Sequence, residues 1–132
     1  MAFPVEEKYI EIAEAELGSK FPESFRNKMM ELNGGEVEVN EENYELHPFY
    51  DTSDKKRIKR TCNSIVHETK MARNHYRLPS NLIVIGNNGG GDVLVYKIES
   101  NGIIDPKVYW FSHETEELEY AANDFSQLIK NV

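Results

Sequence analysis

Apolar residues recur at helical spacing near the start of the chain. In residues 5–17 one face collects apolar side chains and the other collects glutamates, which predicts an amphipathic helix that ends at Gly18. A second helix is predicted to begin at Pro22 and to end at Asn33-Gly34-Gly35, because proline suits a first turn and glycine suits left-handed C-terminal geometry. The apolar positions of the two helices are Val5, Tyr9, Ile12, Ala13 and Leu17, then Phe25, Met29, Met30 and Leu32.

The same spacing returns in residues 51–76, which predict one long helix capped by Ser53 or Asp54. One side of this helix is apolar and the exposed side is basic. The apolar side holds Ile58, Cys62, Ile65, Val66, Thr69 and Tyr76, and the basic side holds Lys55, Lys56, Lys59, Arg60, Lys70 and Arg73. Residues 123–132 predict a closing helix.

The segments between these helices have the patterns of strands. Two short segments alternate between polar and apolar residues, two are continuous apolar runs, and a last one follows a hairpin signal at Asn101-Gly102. Helices and strands do not alternate strictly, so we predict an α+β fold. Its mainly antiparallel twisted sheet is packed by helices, in the order α-α-β-β-α-β-β-β-α. The predicted strands are residues 36–40, 43–50, 81–86, 92–98 and 107–112.

The loop of "IGNNGGGDVLVYKI" raises the question of a phosphate site. Gly86 and Gly91 have the spacing of a Walker loop, but Asp92 and Val93 stand where lysine and a hydroxyl residue are required. A strand follows the loop, so no helix N-terminus faces it to attract an anion. We therefore interpret Gly86, Gly90, Gly91 and Asp92, like Gly34, as structural turn residues. In this interpretation Asp92 accepts hydrogen bonds from the loop's own amides.

Composition narrows the class of protein. The 132 residues suit a single domain, 1–132, and the composition is globular, with 39% hydrophobic and 29% charged residues. The start of the chain lacks the basic segment of a secretory signal, and the single Cys62 suits a reducing compartment, so we expect a cytoplasmic protein.

Charge is distributed unevenly along the chain. The total is −8, with a net of −8 in residues 1–46, +5 in residues 47–81 and −5 in residues 82–132. Such an acidic protein disfavours nucleic acid and membranes as partners and attracts basic proteins, although plain solubility explains the charge as well.

No arrangement of residues indicates catalysis, a metal or a cofactor. The four histidines are scattered, no second cysteine is present for zinc, and Cys62 is expected to be a buried, inert thiol. Neighbouring acids such as Glu41 and Glu42 are typical of a solvated surface rather than of an acid–base pair. We therefore assign no catalytic residue.

Two motifs resemble the SUKH superfamily, named in part for the yeast Smi and Knr cell-wall assembly regulators. The first is "AEAELGSKFPESFRNKMMELNGGEV", in which a helix ending in Leu-Gly precedes an aromatic helix ending in Asn-Gly. The second is "LPSNLIVIGNNGGGDVLVYKI", which is similar to the family's central hairpin, and "DFSQLI" resembles its last helix. The matching positions are Leu17, Gly18, Pro22, Phe25, Leu32, Asn33, Gly34, Leu78, Pro79, Ile85, Gly86, Gly90, Gly91 and Asp92.

The resemblance implies an α+β fold and binding rather than catalysis. Bacterial members are mostly immunity proteins that neutralise toxins, many of them nucleases. We therefore expect an immunity protein that binds a toxin domain with a basic surface, as a monomer or weak homodimer. The alternative is a scaffold or regulator linked to cell-wall assembly, as in the yeast relatives.

Two acidic stretches are candidates for the partner-binding surface, because carboxylates complement a cleft built for phosphates. We expect them to converge at one edge of the sheet, each with a tyrosine as an anchor; solvated, separated glutamates are the alternative. The candidate contacts are Glu38, Glu41, Glu42, Tyr44, Glu45, Glu114, Glu116, Glu117 and Tyr120, with Glu36 and Glu119 in the same stretches.

Overall fold

The computed structural model describes residues 3–128 and has the predicted α+β fold, in which helices pack on one antiparallel sheet. The element order agrees with the prediction, and the structure adds detail to it. The helices are α1 (Glu7–Leu17), α2 (Glu23–Glu31), α3 (Lys55–Thr61) and α4 (Ile65–His75), followed at the end by a 3₁₀ helix (Phe125–Leu128). The strands are β1 (Glu36–Val39), β2 (Glu42–Leu46), β3 (Leu82–Asn87), β4 (Val93–Lys97), β5 (Val108–Phe111) and β6 (Leu118–Ala122).

The long helix predicted for residues 51–76 is divided into α3 and α4. Asp54 caps α3 by accepting a hydrogen bond from the Arg57 amide at 2.7 Å. Ser64 then caps α4, because its hydroxyl accepts from the His67 amide at 3.2 Å. A serine cap competes with continuation of the preceding helix, which explains the break.

The sheet is a meander in the order β1-β2-β3-β4-β5-β6, with every neighbouring pair antiparallel. β6 is an addition to the predicted strands. The closing helix predicted for residues 123–132 is a 3₁₀ helix over Phe125–Leu128, and its last four residues lie outside the described part.

Helix α4 completes the edge of β3 that β2 leaves open. β2 pairs with β3 at only two positions, Glu45 with Asn87 and Leu46 with Gly86. Nearer the start of β3, the Thr69 hydroxyl accepts from the Val84 amide at 2.9 Å, and Arg73 donates to the Leu82 carbonyl at 2.9 Å. Side chains of α4 thus satisfy strand groups that would otherwise be buried without partners.

The main core lies on the sheet face that α1 and α2 cover. Phe25 is its centre, since its ring lies within 4.9–5.9 Å of four other aromatic rings, measured between centroids. The contacts with Tyr96 and Phe125 are edge-to-face, and such contacts add to the stabilisation from burial. Those four rings belong to Phe21, Phe49, Tyr96 and Phe125.

A buried ion pair joins α1 to α2. The Arg26 Nε lies 3.1 Å from Glu14 Oε2, and its Nη1 lies 2.8 Å from Glu7 Oε2. Burial alone would lower the pKa of Arg26, but the hydrogen bonds and charges of Glu7 and Glu14 outweigh it and raise that pKa. The same Glu14 carboxylate accepts from the Phe21 amide at 2.7 Å, so it also fixes the link between the helices.

A smaller core lies on the opposite sheet face, beside α4. It contains Leu78, Leu82, Val84, Val95 and Phe111. Within residues 3–128, no helix is long and apolar enough to cross a membrane.

Candidate protein-binding surface

Three turns lie together at one end of the sheet, which we call the turn end. They are residues 40–41, 88–92 and 112–117, which join β1 to β2, β3 to β4 and β5 to β6. Each joins an odd-numbered strand to the next one, and all neighbours are antiparallel, so the three turns face the same way.

The β1–β2 turn holds a glutamate in left-handed geometry. Val39 pairs with Glu42, so only Asn40 and Glu41 form the turn, with φ of 51° and 69°. Two-residue turns with both φ positive favour Asn and Gly, because a Cβ is strained there. Glu41, the second residue of the turn, therefore places an exposed carboxylate where glycine would be more stable.

The β5–β6 turn repeats this feature. The Ser112 amide donates to the Glu117 carbonyl at 3.0 Å, and the Glu116 amide donates to the Ser112 carbonyl at 2.8 Å. Glu116 closes the turn with φ of 57° and is exposed. A second glutamate thus occupies a left-handed position at the same end of the sheet.

Asparagines, not Asp92, organise the glycine-rich turn. The Asn88 side-chain oxygen accepts from the Gly90 amide at 2.9 Å and from the Asp92 amide at 3.2 Å. The φ is positive at Gly89 (81°) and Gly91 (106°), whereas Gly90 is not among the residues with positive φ. Within the turn, Asp92 accepts from the Asn88 side-chain amide at 3.5 Å, whereas the backbone amides of Gly90 and Asp92 donate to Asn88, which corrects our interpretation of Asp92.

Asp92 instead connects two turns. Its Oδ1 accepts from the His113 amide at 3.1 Å and lies 2.8 Å from His113 Nδ1. Gly91 permits this approach, since a Cβ there would come within 2.9 Å of the His113 ring. Gly86 lies in β3 rather than in the turn. A Cβ at Gly86 would come within 2.8 Å of the Glu45 carbonyl oxygen. Both glycines are structural, because each allows a close approach between neighbouring segments.

Five of the predicted acidic contacts lie at the turn end and are exposed. β1 and β6 form opposite edges of the sheet, so the expected convergence at one edge is wrong; the two stretches share an end instead. The glycine-rich turn stands between them. These residues are Glu41, Glu42, Glu114, Glu116 and Glu117.

The remaining acids lie elsewhere. Glu38 and Glu119 are exposed within β1 and β6. Glu45 pairs with Glu36 in register, and both line a groove of about 700 Å³ whose other wall includes arginines of α3. Glu36 and Glu45 pair at the end of the β1–β2 hairpin opposite its turn, which separates Glu45 from the acids of the turn end.

The two predicted anchor tyrosines differ in burial. Tyr44 is only 2% exposed, and burial together with the charges of Asp92 and Glu42 raises its pKa to about 12. It belongs to the core, so our prediction of a contact through this ring is wrong. Tyr120 is 54% exposed on β6, and its hydroxyl donates to Asn123 Oδ1 at 2.7 Å.

The basic helix α3 already has an aromatic neighbour. The guanidinium carbons of Arg57 and Arg60 lie 4.6 and 5.3 Å from the centre of the Phe3 ring, and Lys56 Nζ lies 5.6 Å from it. This basic face is therefore partly engaged by the chain itself.

Residues that could bind a metal or act as a nucleophile are dispersed in the described part of the chain. No group of three or more His, Cys, Asp or Glu that could hold a metal occurs in residues 3–128. Cys62 is exposed at the end of α3, which corrects our prediction of a buried thiol. The shortening of the predicted helix explains the difference, because Cys62 leaves the apolar face where α3 ends.

Comparison with known families agrees with the resemblance seen in the sequence. A family model described as the SMI1 / KNR4 family (SUKH-1) matches residues 4–131, nearly the whole chain. Comparison with curated proteins gave no significant match.

Proposed function

From the premise that this chain belongs to the SMI1/KNR4 family (SUKH-1), we propose that it is a non-catalytic immunity protein. It neutralises a cognate bacterial toxin by binding a basic surface of the toxin domain, for which a nuclease is the best candidate. The partner meets the turn end, and no cofactor takes part.

The observation that carries the proposal is the pair of glutamates at left-handed turn positions. Glu41 and Glu116 each occupy a place where glycine would relieve backbone strain, and both carboxylates are exposed. Strained residues cluster at functional sites, where surrounding structure holds them for a purpose other than stability. Exposed acids at one end, in a chain with a net charge of −8, supply the field that steers a basic partner.

Survival and co-purification test this function. The gene should be co-expressed with a neighbouring gene that encodes a toxin domain, and we expect growth to be restored and the two proteins to purify together. Growth restored without a complex would contradict direct binding. A complex with an envelope protein, without protection from any toxin, would favour the regulatory alternative.

Charge reversal then tests the surface. We expect Glu41→Lys with Glu42→Lys to slow association at low salt, with a smaller difference at high salt, because screening weakens exposed charges. The matched control is Glu11→Lys with Glu31→Lys, which makes the same change of charge on exposed positions of α1 and α2. Equal slowing by both pairs would show that only total charge matters.

A further inference from the structure

A groove of about 690 Å³ lies between α4 and the sheet face that carries the smaller core. Its floor is apolar, formed by Val84, Val93 and Phe111. It reaches the turn end, because Gly91, His113 and Glu116 also line it. The groove is therefore continuous with the surface proposed to meet the partner.

The outer wall of the groove displays two large apolar side chains. Tyr76, just after α4, is 74% exposed, and Met71 is 38% exposed. Tyrosine is enriched among the residues that dominate binding energy at protein interfaces, and methionine adapts its shape to a partner. An aromatic face beside a groove also attracts cations through its ring electrons.

Two carboxylates and a buried histidine are among the polar groups of the groove. The carboxylates of Glu68 and Glu116 lie along it, and the inner end holds the buried His47. Burial lowers the pKa of His47 despite the charges of Glu68 and Glu45, so its ring is neutral near pH 7. Its Nε2 lies 3.2 Å from Asn87 Nδ2, which fits an acceptor nitrogen facing an amide donor.

Basic groups also line the groove, and they reduce its net negative charge. Arg77 lines it, as do the exposed His75 and His113. His113 is held by the Asp92 carboxylate at 2.8 Å, which places another negative charge beside the groove. Glu68 and Glu116 line the groove and Asp92 lies beside it, so three carboxylates stand against the single guanidinium of Arg77.

We propose that this groove binds an arginine side chain of the partner protein. The methylene stem lies on the apolar floor, the planar guanidinium stacks on Tyr76, and the carboxylates of Glu68 and Glu116 supply the negative charge that attracts it into the groove. Arginine combines an apolar stem, a stacking plane and a fork of donors, and so matches all three features. The inference rests on the proposed function in that the partner is the same basic protein.

A short peptide tests the groove without any knowledge of the partner. The probe is acetyl-Gly-Arg-Gly-amide, titrated into the ¹⁵N-labelled protein while amide chemical shifts are followed. We expect saturable shifts around Met71, Tyr76 and Gly91, with a dissociation constant on the order of 1 mM, as befits one side chain. The same peptide with citrulline, which has the shape of arginine without its charge, should bind at least roughly fivefold more weakly, because charged hydrogen bonds are the stronger ones.

Variants separate a specific site from general attraction. We expect two variants to bind the arginine peptide roughly three- to tenfold more weakly, as expected for one cation–π contact or one ion-pair group. They are Tyr76→Ala and the double variant Glu68→Gln with Glu116→Gln. Glu6→Gln with Glu11→Gln, at the exposed N-cap of α1 and on its exposed face, is the control and should leave binding unchanged.

Several outcomes would overturn the proposal. Equal binding of arginine and citrulline peptides, shifts that lie away from the groove, or stronger binding of acetyl-Gly-Glu-Gly-amide would each do so, the last indicating an anion site at Arg77. Shifts that change with protein concentration alone would assign the groove to a second copy of the chain. If a cognate toxin binds Tyr76→Ala as tightly as wild type but loses affinity for the turn-end charge reversal, the groove inference fails while the proposed function stands.

Discussion

Replacing the two left-handed turn glutamates by glycine should stabilise the protein and weaken its partner binding. Glu41 and Glu116 have φ of 69° and 57°. A left-handed conformation costs an L-residue about 1–2 kcal/mol, and glycine avoids that cost. Glycine also adds freedom to the unfolded chain, which removes about 0.4–1 kcal/mol of the gain. We therefore expect each substitution to raise the free energy of unfolding by about 0.5–1 kcal/mol.

The measurement is thermal and denaturant unfolding of Glu41→Gly, Glu116→Gly and the double variant. The two sites lie in different turns without a shared hydrogen bond, so their effects should add. A gain of about 1 kcal/mol corresponds to a rise in Tm of roughly 3–5 °C for a chain of this size. A fall in Tm for both single variants would refute the argument from backbone strain.

Three variants at one turn separate the effect of charge from that of backbone strain. Glu41→Gln removes the charge and keeps the strain, so it should slow association with the proposed partner without raising stability. Asn40→Gly relieves the neighbouring residue, with φ of 51°, and keeps the charge, so binding should not change. Glu41→Gly should show both effects, with association slowed by roughly two- to fivefold, since an exposed ion pair contributes up to about 1 kcal/mol. Stabilised glycine variants with unchanged association rates would show that these glutamates do not meet the partner.

Other predictions concern the core, a half-buried lysine and two glycines. Phe25→Ala should lower the free energy of unfolding by about 3–5 kcal/mol, measured by denaturant unfolding, because it opens a cavity among four aromatic rings. Burial lowers the pKa of Lys28 to about 8 from its ordinary 10.5, although its ammonium donates to the carbonyl groups of Leu32 and Gly34. Between those two pH values the unfolded chain binds more protons at this site, so stability should rise with pH in the wild type relative to Lys28→Met; an unchanged difference would contradict this. Gly86→Ala should destabilise by about 1–3 kcal/mol through contact with a backbone oxygen, whereas Gly90→Ala should stay within about 0.5 kcal/mol of wild type; equal effects in urea unfolding would contradict the geometry.

Local patterns predicted most of the elements, and contacts between elements account for the misses. The pattern of α1 and its stop at Gly18 were enough, because helical spacing and a left-handed glycine are local signals. The break before α4 depends on which hydroxyl caps, and Ser64 resembles any other serine inside an amphipathic stretch. β6 alternates poorly, so its existence depends on pairing with β5 rather than on its own sequence.

The candidate site was predicted less well than the fold, for a related reason. The sequence identifies the acidic stretches, but it also predicts Tyr44 as a surface anchor, whereas its strand points the ring into the core. The contact between Asp92 and His113 joins residues 21 positions apart, and no local signal announces it. Tyr76 was assigned to an apolar helix face, whereas α4 ends at His75 and leaves its ring exposed.

The position of the acidic stretches follows from the parity of the strands rather than from their distance across the sheet. In an antiparallel meander, turns after odd-numbered strands lie at one end and turns after even-numbered strands at the other. The β1–β2 and β5–β6 turns both follow odd-numbered strands, so Glu41 and Glu116 share an end although their strands form opposite edges. A partner that contacts both must therefore span the glycine-rich turn between them, where Gly91 and Asp92 hold His113 in place. This arrangement makes the glycine-rich turn a spacer between two acidic turns, and its small residues leave room for the partner to reach both.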